Sequence, residues 1–150
     1  MAIYKRVSQV ALVAVACVYG AGILANTFLP FHAGGSGSSV PWRVYLHLTP
    51  FADTEPSDMA KNVVLFTPLG ILLPLLVRGL SAVKVLFIGF LVAFAMEALQ
   101  VLDAVTGHGG HIADINDLLS DTVGVVIGYC LYRIVLRLWP DSAGAKNQGV

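Results

Sequence analysis

Four long apolar runs take up most of this 150-residue sequence. They cover residues 7–29, 60–77, 81–102 and 117–138. Each is close to the roughly 20 residues that a helix needs to cross the hydrocarbon core of a bilayer. Hydrophobic residues make up 57% of the chain and charged residues 12%, a balance that ordinary soluble domains do not have. The sequence therefore predicts a single all-α membrane domain, residues 1–150, with four transmembrane helices.

Basic residues predict the orientation of these helices. The first run also resembles a signal peptide, but it is longer than the usual apolar region of about 7 to 15 residues, so a retained helix is favoured. If the four helices alternate in direction, most of the basic residues lie at one end of the bundle: Lys5, Arg6, Arg78, Lys84, Arg133, Arg137 and Lys146. By the positive-inside rule that end is cytoplasmic, as are both termini.

Polar side chains gather at the opposite end of the predicted bundle. Glu97 and Gln100 share a face near the end of the third helix, and Asp117 and Asp121 are one turn apart at the start of the fourth. Asn62 opens the second helix at the same level. Ionisable groups inside membrane spans are costly to insert and are functional candidates by default. We therefore predict a shared polar pocket in the outer leaflet.

Structural roles compete with binding at several of these positions. Asp114 stands where a helix N-cap would, and the helix dipole partly accounts for Asp117. Asn62 and Gln100 could instead be interhelical hydrogen-bonding groups. His108 and His111 in the glycine-rich loop have no defined spacing to the carboxylates, so a solvated loop is favoured over a metal site. No metal or cofactor is expected.

Small residues recur every fourth position in the fourth helix. This pattern allows two membrane helices to approach closely, either within one chain or between two copies. A homo-oligomer is therefore possible through Ser120, Gly124 and Gly128. A net charge of zero gives no electrostatic footprint for nucleic acids, so none is expected as a partner.

Residues 49–129 resemble the VanZ-like family of small bacterial membrane proteins. The resemblance rests on the order and spacing of a set of residues: Pro50, Phe51, Asn62, Phe66, Pro68, Gly70, Glu97, Gln100, Asp114, Asp117, Gly124 and Gly128. Three positions depart from the usual family pattern. His111 stands where the family usually has arginine, Asn116 where it usually has aspartate, and Asp121 where it usually has asparagine.

This resemblance implies a multi-pass protein of the bacterial plasma membrane, related to one that gives low-level resistance to the lipid-tailed glycopeptide teicoplanin. The expected partner is a membrane lipid or a lipidated glycopeptide. The expected ligand-binding residues are Asn62, Glu97, Gln100, His111, Asp114, Asp117 and Asp121. An intramembrane enzyme acting on an envelope lipid is less favoured, since no nucleophile or phosphate-binding motif supports it, and catalytic residues are not assigned. A structural subunit that binds another membrane protein is the third alternative.

Overall fold

Four long helices make up most of the chain. The computed structural model describes residues 2–28, 41–51, 54–106 and 112–138. The helices are α1 (Ala2–Phe28), α2 (Pro56–Leu76), α3 (Ala82–Val105) and α4 (Ile115–Leu138). All four are long and apolar enough to cross a membrane. The predicted fold class of four transmembrane helices is confirmed, and the chain is a multi-pass membrane protein.

Local chemistry sets the starts of α2 and α3 and the short turn that joins these two helices. Pro56 occupies the first helical position of α2, where its missing N–H costs nothing, so this helix begins earlier than predicted. Gly79 has a φ of 80°, which only glycine adopts easily. Ser81 then caps α3, because its hydroxyl oxygen accepts the Lys84 backbone N–H at 3.4 Å.

Three glycines allow α2 and α4 to cross almost backbone to backbone. A Cβ on Gly124 would lie 2.5 Å from the Val63 carbonyl oxygen, and a Cβ on Gly128 would overlap the Thr67 carbonyl oxygen. Gly70 of α2 meets α4 in the same way. The small-residue face of α4 is thus packed against α2 within one chain. Oligomerisation through this face stays a prediction, and it would require α2 to separate from α4.

The first helix is the least enclosed of the four. Tyr19 donates a hydrogen bond from its hydroxyl to the Leu65 carbonyl oxygen at 2.7 Å, and Ile23 packs into the core. Most other large apolar side chains described on α1 are exposed, among them Val10, Val13, Val15 and Val18. In a bilayer these side chains contact lipid, so α1 is a peripheral helix that covers one side of the bundle.

The segment before α2 folds back onto the start of α4. A short 3-10 helix (Trp42–Tyr45) leads into strand β1 (Leu46–His47). This strand pairs in parallel with β2 (Ala113–Asp114), which directly precedes α4. The pairing is the only sheet within the described residues, and the all-α prediction did not include it.

The strand pair lies at the same end of the bundle as a small cavity between the helices. The last turn of α1, the first turns of α2 and α4, and the later part of α3 contribute to one cavity there. We call this the polar end. It contains every described residue that the sequence placed in the pocket.

Candidate functional site

An enclosed cavity of about 40 Å³ lies inside the polar end. All four helices contribute to its wall, which consists of Ile23, Asn26, Asn62, Leu65, Phe66, Met96, Glu97, Gln100, Asp117 and Asp121. Five of the seven predicted ligand-binding residues are in this set. Asp114 lies outside the cavity, and His111 lies outside the described residues. The helical alternation inferred from the sequence therefore does bring the expected polar side chains of α2, α3 and α4 together.

Asp121 is the most deeply buried carboxylate of the cavity wall. Asp121 is only 3% exposed, and its Oδ1 has no hydrogen-bond partner among the described residues. The Oε1 atom of Gln100 is also buried without such a partner. Buried polar atoms are nearly always hydrogen-bonded in native proteins, so two unpaired acceptors on one small cavity indicate a place for a hydrogen-bond donor.

Glu97 is buried as well, but part of its carboxylate is held by the protein. Its Oε2 accepts the backbone N–H of Asp114 at 2.9 Å. This bond ties the later part of α3 to the residue that precedes α4. Glu97 also lines a second, apolar depression, so its side chain separates the cavity from that depression.

The apolar depression has a volume of about 450 Å³ and lies between α3, β1 and the start of α4. Its wall contains Leu46, Leu48, Phe94, Glu97, Ala98, Val101, Ala113, Asp114, Ile115 and Leu118. Phe94 is exposed there and stacks on Phe90 at a centroid distance of 6.4 Å. The depression therefore offers an almost entirely apolar surface.

A wider polar opening of about 720 Å³ lies over the enclosed cavity. We call it the funnel. Four residues line both spaces with polar side chains: Asn26, Asn62, Gln100 and Asp117. Asn62 interacts with the Asp117 carboxylate. The rim of the funnel includes an exposed ion pair, in which Lys61 Nζ lies 2.7 Å from Asp58 Oδ1. A continuous polar wall thus leads from the surface into the bundle.

Asp114 caps α4 rather than lining the enclosed cavity. Its Oδ1 accepts the Asn116 backbone N–H at 2.8 Å, as an N-cap does, and its Oδ2 lies 3.0 Å from His47 Nδ1. Asp114 therefore joins β1 to the start of α4. This is the structural role that the sequence left open for it.

Asn116 is fully buried, and its side chain makes three hydrogen bonds. Two of them hold the described residues before α2, 41–51 and 54, which we call the outer segment. Its Oδ1 accepts the Phe51 backbone N–H at 2.8 Å, and its Nδ2 donates to Thr54 Oγ1 at 2.7 Å and to Asp114 Oδ1 at 2.9 Å. Phe51 has a φ of 60°, uncommon for a residue other than glycine, and its bond to Asn116 holds it there. Sequence reasoning did not include Asn116, His47 or Thr54 in the polar end.

Asn26 was also missed, although a signal existed. It is a polar residue at the end of the first apolar run, and alternation places that end at the level of Asn62. Among the described residues, no three histidine, cysteine, aspartate or glutamate side chains are close enough together to hold a metal ion.

Comparison with known proteins gives one match. A family model described as VanZ/LLP1 matches residues 16–136, a range that includes α2, α3, most of α4, the second half of α1 and the residues of the polar end. No curated protein and no solved structure matches the chain.

Proposed function

Because the chain belongs to the VanZ/LLP1 family, we propose that it is a bacterial plasma-membrane protein that binds an amphiphilic molecule of the cell envelope. The head group occupies the funnel, and the hydrocarbon tail stays in the surrounding bilayer. One observation carries the proposal. Asn62, Gln100 and Asp117 line both the funnel and the enclosed cavity, so polar groups extend from the surface to a depth where the helices are otherwise apolar.

The chemistry of the wall supports a ligand that donates hydrogen bonds. Asp117, Glu97 and Asp121 supply carboxylate acceptors, and the unpaired oxygen of Gln100 adds a neutral one. A buried acceptor without a hydrogen bond costs about 1 to 3 kcal/mol. A ligand with amine, amide or hydroxyl groups that donates to these acceptors therefore recovers this free energy on binding. The exposed Asp58 and Lys61 at the rim are solvated and contribute little to this discrimination.

The distribution of basic residues indicates which side of the membrane the funnel faces. Arg78 and Lys84 flank the α2–α3 turn, and Arg133 and Arg137 lie in the last turns of α4. These positions are at the end opposite the funnel. With that end in the cytoplasm, as the positive-inside rule requires, the funnel opens at the outer leaflet. A lipidated glycopeptide such as teicoplanin, or an envelope lipid, reaches the funnel from that leaflet.

The first test is teicoplanin susceptibility of a sensitive bacterial host that expresses the chain. We expect the wild type to reduce susceptibility and Asp117→Asn or Glu97→Gln to abolish this protection at matched membrane abundance. Asp103→Asn is the matched control, because Asp103 lies on α3 at the same end but outside the funnel and the cavity. This variant should protect as well as the wild type.

Two results would contradict the proposal in different ways. Equal protection by all variants would mean that resistance does not use the carboxylates of the polar end. No protection by abundant wild type would separate this chain from the drug, and binding of labelled envelope lipids to the purified protein would then decide the matter. Loss of lipid binding in Asp117→Asn but not in Asp103→Asn would retain an envelope lipid as the ligand.

A further inference from the structure

The enclosed cavity has carboxylates in its wall and no cationic side chain. Three carboxylates line it, from Glu97, Asp117 and Asp121, and no lysine, arginine or histidine is among its wall residues. Two basic residues at this end lie beside other carboxylates: Lys61 beside Asp58, and His47 beside Asp114. Burying carboxylates without an opposite charge is costly, so a cationic group is the chemical complement of this wall.

Two unpaired atoms mark the position where that group would bind. Asp121 Oδ1 and Gln100 Oε1 are both buried and have no hydrogen-bond partner in the described part of the chain. Gln100 lines the funnel as well as the cavity, as Asn62 and Asp117 do, whereas Asp121 lines only the cavity. A group with several N–H donors can bond to both the carboxylate and the amide oxygen, a single hydroxyl donates only one hydrogen bond, and a group with neither N–H nor O–H donates to neither acceptor.

The size of the cavity limits the group further. About 40 Å³ is a small space, which favours a compact primary ammonium over a trimethylammonium group with its three methyl groups. The trimethylammonium nitrogen also carries no N–H that could bond to the acceptors.

A metal ion fits the wall less well than an ammonium. Metal–oxygen bonds are about 2.0 to 2.6 Å long and need several ligands converging on one point. No three acidic, histidine or cysteine side chains among the described residues converge in that way. An ammonium nitrogen makes longer hydrogen bonds, about 2.7 to 2.9 Å to a carboxylate oxygen, and is satisfied by acceptors on different helices.

We propose that the enclosed cavity is a primary-ammonium site and that Asp121 and Gln100 select amphiphiles with an aminoalkyl head group over those with a quaternary ammonium. This inference rests on the proposed function and names its ligand class. The funnel admits the head group, and the primary ammonium passes Asn62 and Asp117 to reach Asp121. Glu97 stays bonded to the Asp114 backbone N–H and adds negative charge at the wall.

The experiment compares three ligands with the same eight-carbon tail: octylamine, octyltrimethylammonium and octanol. Binding is measured as the concentration-dependent rise in the thermal unfolding midpoint of the purified protein in a non-ionic detergent at pH 7, where an alkylamine is protonated. Because the three ligands have the same tail, their hydrophobic partitioning into micelles is similar. Octylamine and octyltrimethylammonium also give the micelle the same charge. The same titrations on Asp121→Asn and Asp103→Asn cancel the partitioning that remains.

We expect octylamine to bind wild type at least about tenfold more tightly than octyltrimethylammonium, because the quaternary head leaves both acceptors unpaired. Asp121→Asn should lose this preference, and Asp103→Asn should keep it. Equal shifts by the two cations in wild type would overturn the ammonium site while leaving amphiphile binding intact. No shift by any of the three ligands would instead count against the proposed function itself.

Discussion

Asn116 and Asp121 are two buried polar residues on the same helix, little more than one turn apart, and they differ in what surrounds them. Asn116 uses its side-chain oxygen and nitrogen in hydrogen bonds to Phe51, Thr54 and Asp114. Asp121 keeps one carboxylate oxygen without a partner. The two residues are almost equally buried, so they differ in hydrogen bonding. Asn116 anchors the outer segment, whereas Asp121 has an acceptor that is free to bond to the proposed ligand.

The largest expected effect concerns the helix crossing that supports both residues. Gly128→Leu would place a side chain into the Thr67 backbone, so α4 could not dock on α2 and neither region would form. We expect little monodisperse protein by size-exclusion chromatography in detergent. Gly22→Leu is the control, because open space surrounds Gly22 and this variant should behave as wild type. Normal folding of Gly128→Leu would show that the crossing is looser than described.

Replacement of Asn116 by leucine should have the next largest effect. Asn116→Leu leaves the Phe51 N–H without its acceptor and removes the two hydrogen bonds that the Asn116 amide donates, and we expect a loss of about 3 kcal/mol in the free energy of unfolding. Chemical denaturation in mixed micelles measures it. A loss below about 0.5 kcal/mol would remove Asn116 as the anchor of the outer segment.

Asp121→Leu should act in the opposite direction. It removes a buried acceptor that has no partner, so we expect a gain of about 1 kcal/mol in the free energy of unfolding. The same denaturation assay measures it beside Asn116→Leu. A loss as large as that of Asn116→Leu would mean that Asp121 is a structural residue and that the contrast between the two positions is false.

We expect the smallest effect from removing the contact between His47 and Asp114, which lies beside Asn116. His47 and Asp114 are both partly solvent-accessible, with side-chain exposures of 30% and 19%, so His47→Ala should cost less than about 1 kcal/mol. Hydrogen–deuterium exchange should rise in residues 41–51 and remain unchanged in α2. An equal rise in α2 would show that the pair supports the bundle rather than the outer segment.

The sequence predicts the four helices and the shared polar layer for one reason. Hydropathy locates membrane spans, and alternating directions then place Asn62, Gln100 and Asp117 at one end without knowledge of any contact. All three line the same cavity. The helix starts are less accurate, since Pro56 begins α2 before the apolar run itself begins.

The anchor could not be predicted in the same way. It depends on a parallel pairing of Leu46 with Ala113, and two-residue strands have no local pattern that predicts their partner. Asn116 follows from that pairing, because only a folded-back segment brings Phe51 to it. The division of roles between Asn116 and Asp121 is therefore a property of long-range structure.

The crossing of α2 with α4 also affects how the protein is made. Its two partners are separated in the chain by the whole of α3, so α2 enters the membrane before the helix that it packs against has been synthesised. The face of α2 that carries Gly70 therefore remains exposed to lipid until α4 has been inserted. Because α4 also supplies Asp117 and Asp121, its insertion both completes the packing of α2 and assembles the wall of the enclosed cavity, so the proposed ligand cannot bind before α4 is in place.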